Sequence, residues 1–197
     1  MLTSLPTIPD NIISVAQPDA AEFIDSLRSS YRRKYLPVMD LLKGDGPKWE
    51  NKHFTLKVSD FNQADVDAFY EGYLKLMERT PVKLETYPKA FFTELALQQQ
   101  LNLKLVSFGL KPSGEILTGI LVFERSTAYF ILISKPEEQY PGSFYRQFIQ
   151  ALVILSLKKG HTKIHLGQTS YFAKMTAGAI PYRLETYILL RSRWKQG

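Results

Sequence analysis

The sequence contains no cysteine and only three histidines among its 197 residues. The absence of cysteine excludes a disulfide-stabilised scaffold, a thiolate metal site and a cysteine nucleophile. No apolar run approaches the roughly 18 residues that a membrane-spanning helix requires. The first 20 residues contain neither a basic segment nor an apolar one, so they do not predict a secretory signal, and we expect a cytoplasmic protein.

The composition, 45% hydrophobic and 22% charged, is that of an ordinary globular domain, but its charge is unevenly placed. Residues 158–197 hold eight Lys or Arg side chains against one acidic residue, Glu185, and so carry the whole positive excess of a chain with net charge +6. Such a segment suits an anionic ligand, for example a nucleotide phosphate, coenzyme A, an RNA backbone or an anionic lipid. A solvated basic tail explains the same charge equally well.

The first half of the chain predicts an arm followed by helices and one strand. Residues 1–20 hold three prolines and few apolar anchors, which favours an arm or linker, with a single domain over residues 21–197. Asp19 is the predicted cap of a first helix, which Pro37 should end or kink. Residues 53–58 alternate as in a strand, with Ser59 or Asp60 capping the next helix, and residues 88–101 predict a further helix.

The second half predicts three consecutive strands and then a long helix. The strands span residues 103–110, 116–124 and 128–134, and after a loop the helix spans 143–159 and ends at Gly160. A short strand (163–167), a short helix (171–177) and a final strand (182–191) follow. This order predicts an α/β (α+β) domain built on a mixed, mostly antiparallel sheet with helices on both faces.

The residues after the penultimate strand form the most informative stretch of the sequence. Gly167 permits a sharp turn, and the polar residues Gln168 and Thr169 then lie where ligands bind at strand ends in open α/β sheets. Lys174 follows on the short helix and can hold a phosphate or carboxylate. The alternative interpretation is a capping loop in which Thr169 or Ser170 only starts a helix.

A motif of six ordered residues in this stretch matches the pattern G-x-T-x-Y-x-x-K-x-x-x-G-A: Gly167, Thr169, Tyr171, Lys174, Gly178 and Ala179. It resembles the GNAT acyltransferase superfamily, in particular its Fem-type branch and related GNAT-like domains of bacterial cell-envelope clusters. The segments 23–36 and 76–95 resemble helices of the same group, so that the resemblance covers roughly residues 20–193. Because such domains often occur in tandem, it implies a second GNAT-like domain or a homodimer as partner.

The resemblance implies N-acyl transfer to a small-molecule amine, on an amino acid, amino sugar or cell-envelope precursor. The loop that cradles pyrophosphate in acetyl-CoA-dependent members corresponds to residues 134–146, which contain one glycine, Gly142, and two acidic residues. Gly142, Ser143 and Arg146 can still bind a donor. The donor is therefore acyl-CoA or aminoacyl-tRNA, the latter being that of Fem-type enzymes, and tRNA or an anionic lipid-linked substrate is a possible partner of the basic cluster at residues 28–34.

Acyl transfer also needs an acid, a base and donors to the developing oxyanion. In GNAT folds the bulged third strand of the meander helps to hold the acyl carbonyl, which here implies residues 129–134. Tyr129, Glu124 and Tyr171 are the candidate catalytic residues, with Glu85 as a further candidate. His161 and His165 lack the spacing and the nearby acid of a zinc site, so no metal is expected.

Two other classes of function compete with the enzyme. The weak phosphate loop and the absence of an obvious base favour a non-catalytic GNAT-like module for binding or pairing. The basic residues beyond position 157 favour a nucleic-acid-binding domain, whose affinity should fall steeply with salt.

Overall fold

The computed structural model describes residues 2–44, 46–79, 86–134 and 142–189. Within these ranges the helices are α1 (Ala20–Ser26), α2 (Ser29–Leu41), α3 (Val66–Arg79), α4 (Lys89–Leu97), α5 (Gly142–Lys158) and α6 (Tyr171–Thr176). The strands are β1 (Leu2–Pro6), β2 (Asp10–Ser14), β3 (Lys48–Glu50), β4 (Phe54–Asp60), β5 (Leu103–Leu110), β6 (Ile116–Glu124), β7 (Thr127–Ser134), β8 (Lys163–His165), β9 (Ile180–Tyr182) and β10 (Glu185–Leu189).

Eight of these strands form one sheet in the order β3-β4-β5-β6-β7-β8-β2-β9. Strands β7 and β8 run parallel, and the other neighbours in the described sheet run antiparallel. Strands β1 and β10 pair separately as a two-stranded antiparallel ribbon. The predicted fold class, a mixed and mostly antiparallel sheet with helices, is therefore confirmed.

Helices pack on both faces of the sheet because alternate residues of each strand point to opposite faces. Val106 of β5 faces the larger core, to which α1, α2 and α5 contribute Phe23, Tyr35 and Phe148. Leu103 of the same strand faces the smaller core, built mainly from aromatic residues of α3 and α4. The apolar alternation of the meander thus gives each face its own layer of helices.

The meander and the long helix agree with the sequence-based expectations. Strands β5 and β6 have the predicted bounds, and β7 begins one residue earlier than predicted. Gly160 follows α5 with a φ of +87°, and its N–H bonds to the carbonyl oxygen of Leu157. A glycine in the left-handed backbone conformation after the last helical turn therefore ends α5, as predicted.

The N-terminal segment differs from the predicted arm. Strand β2 lies inside the eight-stranded sheet between β8 and β9, and its Ile12 and Ile13 are buried. In a five-residue strand, the alternation of apolar and polar residues is too short to distinguish the strand from irregular structure. The flanking prolines lie outside this strand. The interpretation of residues 1–20 as an arm is therefore wrong for Asp10–Ser14.

Of the two effects expected of Pro37, a helix end or a kink, the end does not occur, and the predicted cap of the next helix is wrong. Pro37 lies inside α2, which continues to Leu41, because Tyr35 and Val38 beside it are fully buried and their packing outweighs the lost backbone bond. The cap before α3 is Asn62, whose side chain accepts from the Ala64 N–H, rather than Ser59 or Asp60, which belong to β4. The Asp19 cap of α1 is confirmed, since its carboxylate accepts from the Glu22 N–H at 2.8 Å.

The predicted final strand over residues 182–191 is divided in the structure. Tyr182 is the last residue of β9. The chain then continues as β10, which leaves the main sheet and pairs with β1. The predicted loop 135–142 lies outside the described residues apart from Gly142, and so do Glu85 and the basic residues beyond Leu189.

Candidate functional site

The parallel strands β7 and β8 pair over only three residues and then separate. Thr127–Tyr129 pair with Lys163–His165, where β8 ends, whereas β7 continues to Ser134. The register with β6 shifts here as well, since Phe130 pairs with Leu121 and Leu132 with Ile120, which leaves Ile131 as a bulge. Beyond Tyr129, the edge of β7 that faces β8 therefore has no strand partner among the described residues.

Three polar side chains meet at the point where the strands separate. Tyr129 and His165 are register partners, and their rings stack with centroids 4.8 Å apart at an interplanar angle of 22°. The Nδ1 atom of His165 lies 2.6 Å from Oδ2 of Asp10, which comes from β2 on the other side of β8. The three strands β7, β8 and β2 thus each supply one member of the group Tyr129–His165–Asp10.

Burial limits what the Asp10 carboxylate can contact. The side chain of Asp10 is 13% exposed and that of His165 is 21% exposed. Oδ1 of Asp10 is buried and has no hydrogen-bond partner among the described residues. Because an ionised carboxylate only accepts hydrogen bonds, Nδ1 of His165 is the donor in this pair, and Nε2 is left as the acceptor of the neutral ring.

The loop after β8 is held against the N-terminal segment by hydrogen bonds. Nδ2 of Asn11 donates to the carbonyl oxygen of Gly167 at 2.8 Å, and Nε2 of Gln168 donates to that of Ile8 at 2.6 Å. Gly167, Thr169 and Ser170 all have positive φ, between +51° and +76°, which makes the turn into α6 tight. These bonds fix the backbone next to His165.

Lys174 points inward from α6 and completes this loop. Its side chain is almost fully buried, and Nζ donates to the carbonyl oxygens of Gly167 at 3.0 Å and Gln168 at 2.6 Å. Burial lowers the pKa of Lys174 to about 8, and the charge of Asp10 acts in the opposite direction. The side chain predicted as a free contact for an anion is therefore bonded to the backbone of its own loop.

The structure brings part of the predicted catalytic set together. Glu124 is the register partner of Thr127, so it lies on the same face of the sheet as Tyr129, two residues nearer the β6–β7 turn. Tyr129 and Tyr171 are each 36% exposed, and Tyr171 begins α6. All three side chains are reachable from solvent, but Tyr129 alone contacts His165 through a described ring stack.

The predicted donor-binding residues lie on two separate elements. Thr169 is exposed in the loop after β8, whereas Gln168 is half-buried in its bond to Ile8. Gly142 begins α5, Ser143 is exposed in its first turn, and Arg146 lies one turn further. Nε of Arg146 is buried without a hydrogen-bond partner among the described residues. The first turn of α5 comes after β7 in the chain. Its N–H groups have no acceptor within the helix and point outward from the start of α5.

Two residues of the site, Asp10 and His165, are not predicted as catalytic candidates by the sequence. The spacing of His165 from His161 relates only to the question of a metal site, and Asp10 lies in the segment that is predicted as an arm. Their separation of 155 positions leaves no local signal that would join them. Within the described ranges, no group of three or more His, Cys, Asp or Glu side chains is placed to hold a metal ion.

None of the helices in the described part of the chain is long and apolar enough to cross a bilayer. No family model and no curated protein matches the sequence.

Solved structures share this fold at low sequence identity. FemX superposes with a TM-score of 0.61 at 12% identity, over 94% of this chain and 62% of its own. L-PGS from Bacillus licheniformis gives 0.55 at 10% identity, over 98% of this chain and 63% of its own. The C-terminal domain of a putative lysylphosphatidylglycerol synthetase from Agrobacterium fabrum gives 0.54 at 10% identity, over 93% and 61%.

These likenesses establish a Fem-like, GNAT-like fold. The chain spans about three fifths of the length of each of these three structures.

Proposed function

We propose that this chain transfers an acyl or aminoacyl group to an amine. The observation that carries the proposal is the separation of β7 from β8 beside the bulge at Ile131. A strand edge without a partner offers backbone N–H groups to a carbonyl oxygen, which is the requirement for holding an acyl group and its developing oxyanion. Tyr129 and His165 lie where this edge begins.

The fold neighbours support a cell-envelope precursor as the class of acceptor. One of them is the C-terminal domain of a putative lysylphosphatidylglycerol synthetase, and lysylphosphatidylglycerol is an aminoacylated lipid. We therefore propose an amine on an amino acid, an amino sugar or a lipid-linked precursor as acceptor, in a cytoplasmic protein. Aminoacyl-tRNA is the donor that we favour over acyl-CoA, because the Fem-like resemblance of the sequence extends to the fold.

Each candidate residue has a defined part in this proposal. The first turn of α5, with Gly142 and Ser143, offers N–H groups to an anionic part of the donor, and Arg146 adds a positive charge. Tyr129, Glu124 and Tyr171 are the candidate acids or bases, since all three are exposed to some degree.

A non-catalytic pairing or binding module is the second candidate, and two observations favour it. Lys174 and Gln168, both predicted to contact substrate, instead brace the loop through backbone carbonyl oxygens. The chain also spans only about three fifths of its structural neighbours, which is consistent with a role beside a second GNAT-like domain or a second copy.

Transfer assays with two donor classes separate these functions. The purified protein is incubated with ¹⁴C-aminoacyl-tRNA or ¹⁴C-acetyl-CoA and with a panel of amines, including amino sugars, free amino acids and lipid-linked precursors in vesicles. Formation of an amide product from one donor class supports the transferase. Donor binding without turnover over this panel, measured by thermal shift, supports the binding module instead.

A further inference from the structure

We propose that His165 is the general base of the transfer reaction and that Asp10 positions it. This inference rests on the proposed function and deepens it, because it names the group that removes the proton from the attacking amine. It starts from the contact of Nδ1 with Oδ2 at 2.6 Å, which joins the last residue of β8 to the first residue of β2.

The orientation of the ring suits a base. The carboxylate of Asp10 fixes Nδ1 as a donor, so that the lone pair of the neutral ring is on Nε2. Among the described residues, Nε2 has no hydrogen-bond partner. The Tyr129 ring stacks on one face of the imidazole and limits its rotation. A base needs a fixed ring with one nitrogen free for substrate, and this pair provides it.

The face of the sheet that carries His165 is open on the side of β9. Residues Ile12 and His165 are register partners and share this face with Asp10, Tyr182 and Ile180. Ile180 is 73% exposed and Tyr182 is 60% exposed, whereas Ile13 and Ile164, on the opposite face, are buried in the larger core. Ile12, which lies between His165 and β9 on this face, is buried, so the route to the ring is through the part of the His165 side chain that is itself exposed, 21% of it.

The charged and titratable groups around the ring come from every neighbouring element. On α3, which packs against β7, Glu71 and Lys75 neutralise each other in an ion pair at 2.7 Å. The remaining groups on the same face or in electrostatic contact with the pair are Asp10 on β2, Tyr129 on β7, Glu124 on β6, Lys163 on β8, Tyr182 on β9 and Lys174 on α6. Asp10 is the one acid among these that contacts the ring, so it is the counter-charge for an imidazolium.

The reaction balances with these groups alone. Nε2 takes one proton from the acceptor ammonium and releases it to solvent, which leaves a neutral amine. The amine nitrogen then forms a bond to the acyl carbon, and the electron pair of the C=O bond moves to oxygen, where backbone N–H groups of the β7 edge stabilise it. Nε2 takes the second proton from this nitrogen and delivers it to the departing ester oxygen or thioester sulfur as the C–O or C–S bond breaks.

The test is the pH profile of kcat/KM in the full chain and in matched variants, with the donor and acceptor that the wild-type protein uses. His165→Asn retains an N–H donor for Asp10 but has no base, and we expect kcat/KM to fall about 100-fold or more with loss of the ascending limb. Asp10→Asn should lower kcat/KM about tenfold, because the imidazolium loses its counter-charge and the ring loses the acceptor that orients it. Asp10→Glu should restore part of the rate.

The controls use groups of the same type away from the site. His53→Asn and Asp67→Asn change an exposed histidine and an exposed carboxylate, and both should keep the wild-type profile. Glu124→Gln tests the competing base on the same face, and loss of the ascending limb in this variant instead of His165→Asn overturns the proposal.

A second readout does not depend on turnover. ¹⁵N NMR of the histidine rings should show His165 as the Nδ1–H tautomer in the wild-type protein, with the signal changed in Asp10→Asn. An Nε2–H tautomer overturns the proposal even if the variants fold poorly. A wild-type protein that transfers no acyl group overturns the proposed function and this inference with it, whereas an active one whose profile survives His165→Asn overturns the inference alone.

Discussion

Lys174 closes the loop that follows β8 by placing its Nζ atom 2.6 Å from the carbonyl oxygen of Gln168. A second bond, to the carbonyl oxygen of Gly167, leaves the side chain only 3% exposed. A charged amine at this depth costs solvation free energy, which its two acceptors and the nearby Asp10 carboxylate partly offset. Lys174 therefore acts on the site by fixing the backbone beside His165.

The depressed pKa of Lys174 predicts a stability that rises at alkaline pH. Below about pH 8 both the folded and the unfolded chain hold the proton, and between about 8 and 10.5 only the unfolded chain holds it. Raising the pH through this window therefore favours folding. Relative to Lys174→Met, the wild-type free energy of unfolding should increase on the order of 3 kcal/mol across the window, measured by urea denaturation.

Comparison with a solvent-exposed lysine of the same protein isolates the effect of burial on the pH dependence of unfolding. Lys57 is exposed on β4, so Lys57→Met should leave the pH dependence of unfolding unchanged. Parallel curves for the wild type and Lys174→Met between pH 8 and 10 would show that the buried amine stays protonated in the folded protein.

Tyr35 provides a second buried anchor for the segment after α6. Its hydroxyl donates to the carbonyl oxygen of Ala177 at 2.7 Å, the side chain is fully buried, and burial raises the pKa of the phenol. Tyr35→Phe keeps the ring but leaves that carbonyl without its partner, so the free energy of unfolding should fall by about 1–3 kcal/mol. Tyr187→Phe removes an exposed hydroxyl and should change it by less than about 0.5 kcal/mol in the same urea titration. Equal effects of the two substitutions would contradict the anchoring role.

The regular elements could be predicted from the sequence because each carries its own periodic signal. Three long alternating strands and an apolar helix ending at Gly160 sufficed to predict the meander and α5. The resemblance around Gly167 and Lys174 suggested the fold, which the structural neighbours share. Strand β2 could not be predicted in this way, since its burial depends on pairing with the distant residues Lys163–His165 of β8.

The candidate site was predicted less completely, for the same reason. The loop after β8 is a prediction from local pattern and Tyr129 one from the family resemblance, but the contact between Asp10 and His165 exists only when β2 enters the sheet beside β8. The interpretation of Lys174 as a ligand for an anion used its charge and its position in a loop. Neither property reveals that the side chain turns inward, because that depends on the backbone conformation at Gly167 and Gln168.

Gly178 is predicted to be intolerant of any side chain. Its φ is +94°, and an added Cβ would lie 2.8 Å from the Phe23 ring and 2.9 Å from Leu27. Gly178→Ala therefore meets both backbone strain and a steric clash with α1 and the residue that ends it, and should cost about 3 kcal/mol of unfolding free energy. Gly160→Ala has a similar φ but nothing within 4 Å, so it should cost about 1 kcal/mol. The difference between the two variants, from urea denaturation, measures the clash alone, and equal costs would argue against it.

Two arginines at the start of α2 are the predicted contacts for a polyanionic donor. Within the described ranges, Arg28 and Arg33 are exposed and form no ion pair, whereas the neighbouring Arg32 lies 3.6 Å from Asp25. A tRNA donor bound through both free guanidinium groups would release counterions from two phosphates. The double variant Arg28→Gln/Arg33→Gln should therefore weaken tRNA binding and reduce the slope of log Kobs against log salt by about 1.5.

The matched control removes two lysines whose charges are already paired. Lys43 and Lys48 lie 2.6 Å and 3.2 Å from the carboxylates of Asp40 and Glu50, so Lys43→Gln/Lys48→Gln lowers the net charge equally at positions already compensated. Fluorescence anisotropy with labelled tRNA at several salt concentrations compares the two. If both double variants reduce the slope alike, tRNA responds to the overall charge of the protein and the start of α2 is no specific contact. If neither changes it, tRNA does not contact this surface, and the preference for an aminoacyl-tRNA donor loses this support in favour of acyl-CoA.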